Sequence, residues 1–396
     1  MFFYEMRRVA RHIAMAAAVF AAIVSCRCAD GLSVTVTNDS ALERKFETVE
    51  LQMDVLHELD SSISAENVVV LDSGGAQVPS QVCPCRNGHD MLLFQASVPC
   101  GESVHYVIKA GVRDSYDTLA YSRHVPERMD DYAYENNLVA GRIYGPALDF
   151  PRTLGSDIWV KNTGRLIIDE WFSKGDYHHN YGEGMDCYKV GGTLGGGALV
   201  PYSGSGELVT GDNWASFEHV CDGPVRTRAV FTYNAFDAGG ARYSAFREIE
   251  LDANTRFVKS VTTFCPVGHD ADSLEVVLGA AMHDAVAYME GYNWIAFTEK
   301  ASDSSDPDAD GNISVGLVYD TGSIASEPFV GKVAGHAGIV TMAAANVPVT
   351  VWTGSGWSLG GISSPDEWER IVRDFAYAAE NPLKVSVRRQ SGMISR

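Results

Sequence analysis

The stretch DYHHNYGEGMDCYK, Asp176–Lys189, places proton-transfer groups and sugar-binding groups side by side. His178 and His179 can take and release a proton near neutral pH. Glu183 and Asp186 add carboxylates. Tyr177 and Tyr188 offer ring faces that stack on a sugar and hydroxyls that hydrogen-bond to it, and Lys189 adds a cation. Gly182 and Gly184 would let the backbone approach a ligand closely. If the segment after Glu183 is extended, Glu183 and Cys187 share one face while Asp186 and Tyr188 share the other. Adjacent histidines on a strand would point to opposite faces. The opposing reading is a polar loop between strands, where Tyr and His are common without catalytic duty.

A second constellation lies upstream in PERMDDYAYEN, Pro126–Asn136. Arg128, Glu135 and Asn136, joined by Arg142 and Lys161, could cradle a sugar carboxylate, because Arg presents a planar fork of donors. The same residues could instead be cross-strand ion pairs on a solvated face, worth under ~1 kcal/mol each. Arg247, in a hairpin of alternating charged and apolar residues, joins the binding set. So does His283, which Asp284 and the paired histidines could meet in one cleft. DPDADGNI, Asp306–Ile313, matches the start of a calcium loop through Asp306, Asp308 and Asp310. Leu317 stands where such a loop needs a bidentate Glu, so a solvated hairpin tip is the expected form. Calcium there is the sole cofactor candidate. No Walker loop, serine elbow or dinucleotide fingerprint is present.

These residues must be positioned mostly by strands. LSVTVTN, NVVVLDS, DMLLFQASV and SVHYVIKAG alternate or run apolar and end in turn residues. They predict a small β-sandwich over residues 30–115. A larger unit over 116–396 continues in the same style, with glycine and aspartate turns between strands, and predicts stacked antiparallel sheets. One helix is expected, late in the chain. SPDE at Ser364–Glu367 is a capping box with Pro at the first helical position. Trp368, Ile371, Val372 and Phe375 then recur on one face, and Asn381-Pro382 stops the run.

The chain's formal net charge of -20 repels phosphate backbones, which excludes nucleic acid as a partner. An anionic glycan would be repelled at long range too, so it would have to meet a local cluster of Arg and Lys. Residues 1–28 read as an export signal, with Arg7, Arg8 and Arg11 ahead of the apolar run Ile13–Val24. That run falls short of the about 20 residues a spanning helix needs. IVSC, ending at Cys26, reads as a lipobox, with cleavage near Ala29 as the alternative. Contact with a membrane is expected only through a lipid on Cys26. Of the remaining cysteines, Cys83 and Cys85 could form a local clamp with Cys100, or all could be buried thiols.

Several stretches in order resemble one sequence family. VPERMDDYAYENNLVAGRIYGPAL, SDIWVKN, DYHHNYGEGMDCYKVG, GPVRTRAVFTY and SPDEWERIVRDFAYAAENPLKV are similar to the domain of unknown function 4861 family across almost all of the chain beyond the export signal. That family is found mostly in polysaccharide-degradation clusters of Bacteroidetes-like bacteria, and its β units resemble the galactose-mutarotase-like supersandwich. The resemblance implies an all-β fold, a small sandwich followed by a supersandwich and one C-terminal helix, and a poly- or oligosaccharide as partner.

The expected activity is then that of a lyase or hydrolase on uronate-containing glycans. As a lyase, Arg128 or Arg142 would neutralise the uronate carboxylate, His178 or His179 would remove the neighbouring proton, and Tyr188 would protonate the leaving oxygen. As a hydrolase, Glu183 would pair with Asp186 or Glu135. Two other classes are a glycan-binding lipoprotein with Trp159, Tyr177, Trp214 and Trp294 as a stacking platform, and a sugar epimerase or mutarotase.

Overall fold

The computed structural model describes residues 31–84, 88–148, 155–203, 207–208, 212–268, 270–333 and 335–389. The export signal, the lipobox and Cys85 lie outside them. The first unit carries β1 (Leu32–Thr37), β2 (Arg44–Gln52), α1 (Met53–Leu59), β3 (Val68–Leu71), β4 (Ser80–Cys83), β5 (Met91–Val98) and β6 (Ser103–Ala110). A central set follows: β7 (Ala120–Val125), β8 (Asp131–Asn136), β9 (Ala140–Ile143), β10 (Ser156–Lys161), α2 (Ile168–Lys174) and β11 (Gly184–Asp186). Next come β12 (Ala198–Ser203), β13 (Glu207–Leu208), β14 (Ser216–Cys221), β15 (Arg226–Ala238), β16 (Ala241–Asp252), β17 (Phe257–Pro266) and β18 (Ser273–Ala281). The chain then runs through β19 (Ala285–Glu290), β20 (Trp294–Lys300), β21 (Asn312–Tyr319), β22 (Phe329–Val333), β23 (His336–Ala344), β24 (Val349–Trp357), α3 (Pro365–Glu380) and β25 (Lys384–Arg389). The protein is all-β with a C-terminal helix, as the strand patterning predicts.

In the first unit a four-stranded sheet, β25-β1-β6-β3, packs on a three-stranded one, β2-β5-β4. Alternation decides which side faces in: β1 buries Leu32, Val34 and Val36 against Phe94, Val98 and Leu56. The last strand of the chain completes this sheet, with Val34 opposite Val387 and Val36 opposite Val385. The N-terminal sandwich therefore includes a strand that a division at residue 115 assigns to the second unit.

The larger unit is a two-layer stack. An eight-stranded sheet, β14-β15-β16-β17-β24-β21-β20-β19, forms one layer. The other layer consists of two five-stranded sheets, β11-β10-β9-β8-β7 and β13-β12-β18-β23-β22, which meet at a parallel bridge between Ser156 and Gly195. Phe297, Leu317 and Val351 of the long sheet interdigitate with Val276, Leu278 and Ile339. Phe231, Ile249 and Leu251 pack on Tyr132, Tyr134 and Ile143. α3 lies on the opposite face of the long sheet, where Trp368 buries its ring and donates its indole N–H to the Val315 carbonyl at 2.9 Å. Ser364 caps this helix by accepting from Glu367 N at 3.2 Å, and the Glu367 carboxylate reaches back to Ser363 N at 2.7 Å.

The two units are bolted together by Gln81, whose side chain accepts from Val225 and Arg226 N–H and donates to the Arg226 carbonyl. A disulfide joins Cys83 to Cys221, 138 residues apart, while Cys100, Cys187 and Cys265 are thiols. Cys83 is thus tied to β14 and not to a local clamp. Replacing Cys83 by serine opens a long loop in the unfolded state, so a loss of about 2–5 kcal/mol is expected. Calorimetry of C83S beside the wild type, each with and without reductant, checks it. Equal melting temperatures throughout would contradict it.

Candidate functional site

Cross-strand register explains which side chains meet on the outer face of the β7–β11 sheet. Arg142 stands opposite Ala133 on one side and Asp157 on the other. In the next row Ala140 stands between Glu135 and Trp159, and Trp159 faces Asp186. Paired residues share a face, so Arg142, Asp157, Trp159, Glu135 and Asp186 all project away from the core. Their strand neighbours Tyr134, Ile143, Ile158 and Met185 project into it. α2 and Tyr177 cover the outward face, with the Trp159 ring stacked on Trp171 and Tyr177.

Under that cover lies an acid cluster around one guanidinium. Arg142 Nε is 2.9 Å from Asp157 Oδ2, its Nη2 is 3.1 Å from Asp186 Oδ2, and its Nη1 is 3.6 Å from Asp131 Oδ2. Nη1 also donates to the Tyr177 hydroxyl at 3.0 Å, and the Tyr144 ring lies 4.9 Å from the guanidinium carbon. Arg128, partly exposed, places Nη1 3.6 Å from the same Asp131 oxygen. All three aspartates are buried. Burial raises Asp186 well above the usual carboxylate range; the Asp157 charge adds to this and Arg142 opposes it. Of the three, Asp186 is pushed furthest toward the protonated form, with the Asp157 carboxylate in hydrogen-bonding reach. Burial raises Asp131 as well.

His178 links this cluster to solvent. Its side chain is 50% exposed, and Nδ1 lies 3.1 Å from the Asp186 carbonyl oxygen and 3.6 Å from Asp186 Oδ2. A carbonyl only accepts, so Nδ1 carries the hydrogen and the neutral ring keeps its lone pair on Nε2. Among the described residues Nε2 has no hydrogen-bond partner. The ring orientation is thus fixed by backbone while the basic nitrogen is left available.

The other residues singled out in this stretch separate. His179 is exposed with its ring against Tyr181, 4.9 Å between centroids. Glu183 is held by Arg165 through bonds of 3.0 and 2.7 Å, which keep it below the usual carboxylate range. It is therefore ionised and can act as a base but not as an acid. Both border a recess of only about 10 Å³. Gly184 serves strand packing, since a Cβ there would overlap the Val160 carbonyl. His178 instead meets Asp186. A groove of about 640 Å³ elsewhere on the protein has no lining residue from this stretch.

Tyr188 is a correction. It is buried against the core, its hydroxyl donates to the Ala281 carbonyl, and burial pushes it well up. It cannot protonate a leaving group. Glu135 is another: its carboxylate accepts from Ile167 N at 2.7 Å and Ile168 N at 2.8 Å, capping α2 from a different strand. Lys161 closes that arrangement at 2.8 Å from Glu135, and both side chains are fully buried. Asn136 spends its amide on backbone groups around Asp252, Thr255 and Val139. Arg247 is buried and donates to Ser260 and Ser156. These four hold the scaffold, and ligand contact is closed to them.

His283 is oriented by buried Glu299, 2.7 Å from Nδ1, and this bond raises it above the ordinary imidazole range. Lys189 is exposed beside it, and both stand apart from His178. Asp308 pairs with Lys300, Asp310 accepts from Ser304, and Asp306 accepts from Ala309 N. The three carboxylates do not converge, and no group of metal-ligating side chains is found among the described residues. Arg142 is fully engaged by aspartates, so it cannot also bind a substrate carboxylate. Asp131, Asp157 and Tyr144 escaped the sequence reading. Asp157 was detectable as an acid directly before the apolar run Ile158–Val160 of β10.

Fold and site together define a two-unit, all-β protein with a buried acid cluster under an exposed histidine. The chain belongs to the family described as Domain of unknown function (DUF4861), which it matches over residues 36–385. It is 29% identical to "Uncharacterized protein P7" of Formosa agariphila, covering 95% of this chain and all of that one. Among solved structures it is similar to a protein in glycosyl hydrolase family 38 from Enterococcus faecalis, with a TM-score of 0.53 at 10% identity over 92% of this chain. An alpha-mannosidase from Enterococcus faecalis V583 gives 0.54 at 10% identity over 91%. The chain spans about half the length of those two, 48% and 46%, and at that identity the likeness is one of fold.

Proposed function

We propose that this protein is exported and cleaves a uronate-containing saccharide by elimination: His178 takes the proton beside the sugar carboxylate, the glycosidic C–O bond breaks as the ring double bond forms, and water protonates the leaving oxygen. The observation that carries this is the His178 ring, fixed through Nδ1 on the Asp186 carbonyl with Nε2 open to solvent. Elimination needs one accessible base next to a carboxylate-neutralising cation. Arg128 fits the second role: its side chain is partly exposed and borders the cluster, with Nη1 turned inward 3.6 Å from Asp131 Oδ2. Hydrolysis needs an accessible carboxylic acid as well as a base. Asp186 is raised toward the protonated form but is buried, and Glu183 is lowered by Arg165, so the geometry favours elimination. A fold shared with an alpha-mannosidase supports a saccharide ligand. The disulfide supports export, since such bonds persist in oxidising compartments. For a non-catalytic binding platform, Trp159 and Trp214 are buried and unavailable for stacking.

The test is incubation with a panel of uronate glycans, following near-ultraviolet absorbance and reducing ends together. Absorbance from an unsaturated uronate is expected. Reducing ends without the chromophore would replace elimination by hydrolysis, and neither signal from any glycan would sink the proposal.

A further inference from the structure

The groove of about 640 Å³ lies on the face of the eight-stranded sheet opposite the β7–β11 sheet, between the N-terminal sandwich and α3. Three features of it are unexplained by folding. Phe46 stands on its rim at φ 51, a left-handed backbone that a bulky side chain rarely adopts. β2 slips register there, between Arg44 and Glu47, and the resulting bulge turns the Phe46 ring outward, 54% exposed. A bulge that re-aims a large apolar ring into solvent, at a cost in backbone energy, is the kind of outlier that marks a ligand site.

The second feature is charge. The groove carries six acids and six bases, a balanced set on a protein of net charge -20. Five of the bases are matched: Arg44 with Glu47, Lys45 with Glu43, Arg226 with Glu50, Glu250 and Asp252, Lys259 with Glu250, and Arg370 with Asp374. Arg256 has no ion-pair partner among the described residues. Its Nη2 donates to the Gly360 carbonyl at 2.9 Å, and the rest of its fork is unspent. Burial lowers Arg256 below the usual guanidinium range, with only Glu367 opposing, as expected where no carboxylate sits against it. The third feature is a second aromatic surface, Trp352 edge-on to Phe375 at 5.9 Å, both lining the groove and both partly exposed.

We infer that this groove is a second saccharide site, distinct from the His178 face, which holds an acidic oligosaccharide by stacking on Phe46 and Trp352 and by a salt bridge from Arg256 to a sugar carboxylate. The occupant follows from the surfaces: flat ring faces take the apolar face of a sugar, and an unpaired guanidinium fork takes a carboxylate. The volume suits a short oligosaccharide segment. The inference rests on the carbohydrate reading above but uses none of its residues, so the two fail separately.

The experiment is calorimetric titration of the full chain carrying His178→Ala, so that ligand is not consumed. Uronate oligosaccharides are compared with their carboxyl-reduced counterparts. The parent should bind the uronate form more tightly. Adding Phe46→Gly should weaken binding about tenfold while the melting temperature holds or rises, because glycine accepts the left-handed backbone. Adding Arg256→Gln should reduce the preference for the uronate form, leaving only the part that Arg128 on the His178 face contributes. Arg256→Lys, which keeps a donor for Gly360, should weaken that preference without a fall in melting temperature. No binding by the parent, unchanged affinity in Phe46→Gly, or equal affinity of the parent for both ligand forms would each overturn the assignment.

Discussion

Replacing Arg142 by alanine is expected to destabilise the protein strongly at neutral pH and much less in mild acid. The guanidinium is the buried partner of Asp157 and Asp186 and, with Arg128, one of two counter-charges 3.6 Å from Asp131. Removing one member of a buried ion cluster costs about 3–5 kcal/mol, because the remaining charges stay buried without compensation. That is a large share of the about 5–15 kcal/mol that holds most domains folded. The sign of the pH effect follows from Asp186 and Asp131, both raised in the folded state. Above the unfolded carboxylate value of about 4, the folded protein binds protons that the unfolded chain has released. Their contribution to stability is therefore fully present below about pH 4 and is lost as pH rises through the folded values. Losing Arg142 raises both further and steepens the dependence. Urea unfolding of R142A from about pH 4 to 8 should show stability falling as pH rises, much more steeply than in the wild type. Asp186→Asn added to R142A should restore part of the loss, since the buried amide carries no charge that needs the missing guanidinium. Wild-type stability of R142A at neutral pH would show that the cluster is not the charged knot described here.

Much of the fold was legible because alternation and turn chemistry are local signals. β1, with its buried Leu32, Val34 and Val36, and α3, with its Ser364 cap, are examples. α1 and α2 were not, and the reason is physical. Both are short, and their N-cap residues, Gln52 and Ile167, make no side-chain cap. The cap on α2 is supplied by Glu135 from another strand, which no local pattern reveals. The pairing of β25 with β1, and of Cys83 with Cys221, joins residues too distant for local signals.

The candidate site was legible to a similar depth. The stretch Asp176–Lys189 contributes His178 and Asp186 to one polar cluster, and Tyr177 and Arg142 belong to it too. Residue type alone could not separate these from Tyr188, Glu135, Lys161 and Arg247, which fold inward. That sorting depends on which side of a strand faces which layer, and hence on register. Phe46 and Arg256 gave no signal, because a positive φ and a missing partner exist only in the folded chain.

The second large effect is catalytic. His178→Ala should lower turnover about 10²–10⁴-fold, the range for losing a general base. The ring is half exposed and its contacts are to Asp186 and the Tyr177 ring, so little packing is lost and the melting temperature should hold. Added imidazole should return part of the activity by supplying the missing base. His179→Ala, whose ring lies exposed against Tyr181, should keep near wild-type rates. The central claim is tested most directly by following the near-ultraviolet chromophore from one uronate glycan with wild type and H178A side by side. The account predicts a signal from the wild type, almost none from H178A, and equal melting temperatures. Undiminished chromophore from H178A, or its loss together with a collapsed melting temperature, would contradict the claim that His178 moves the proton.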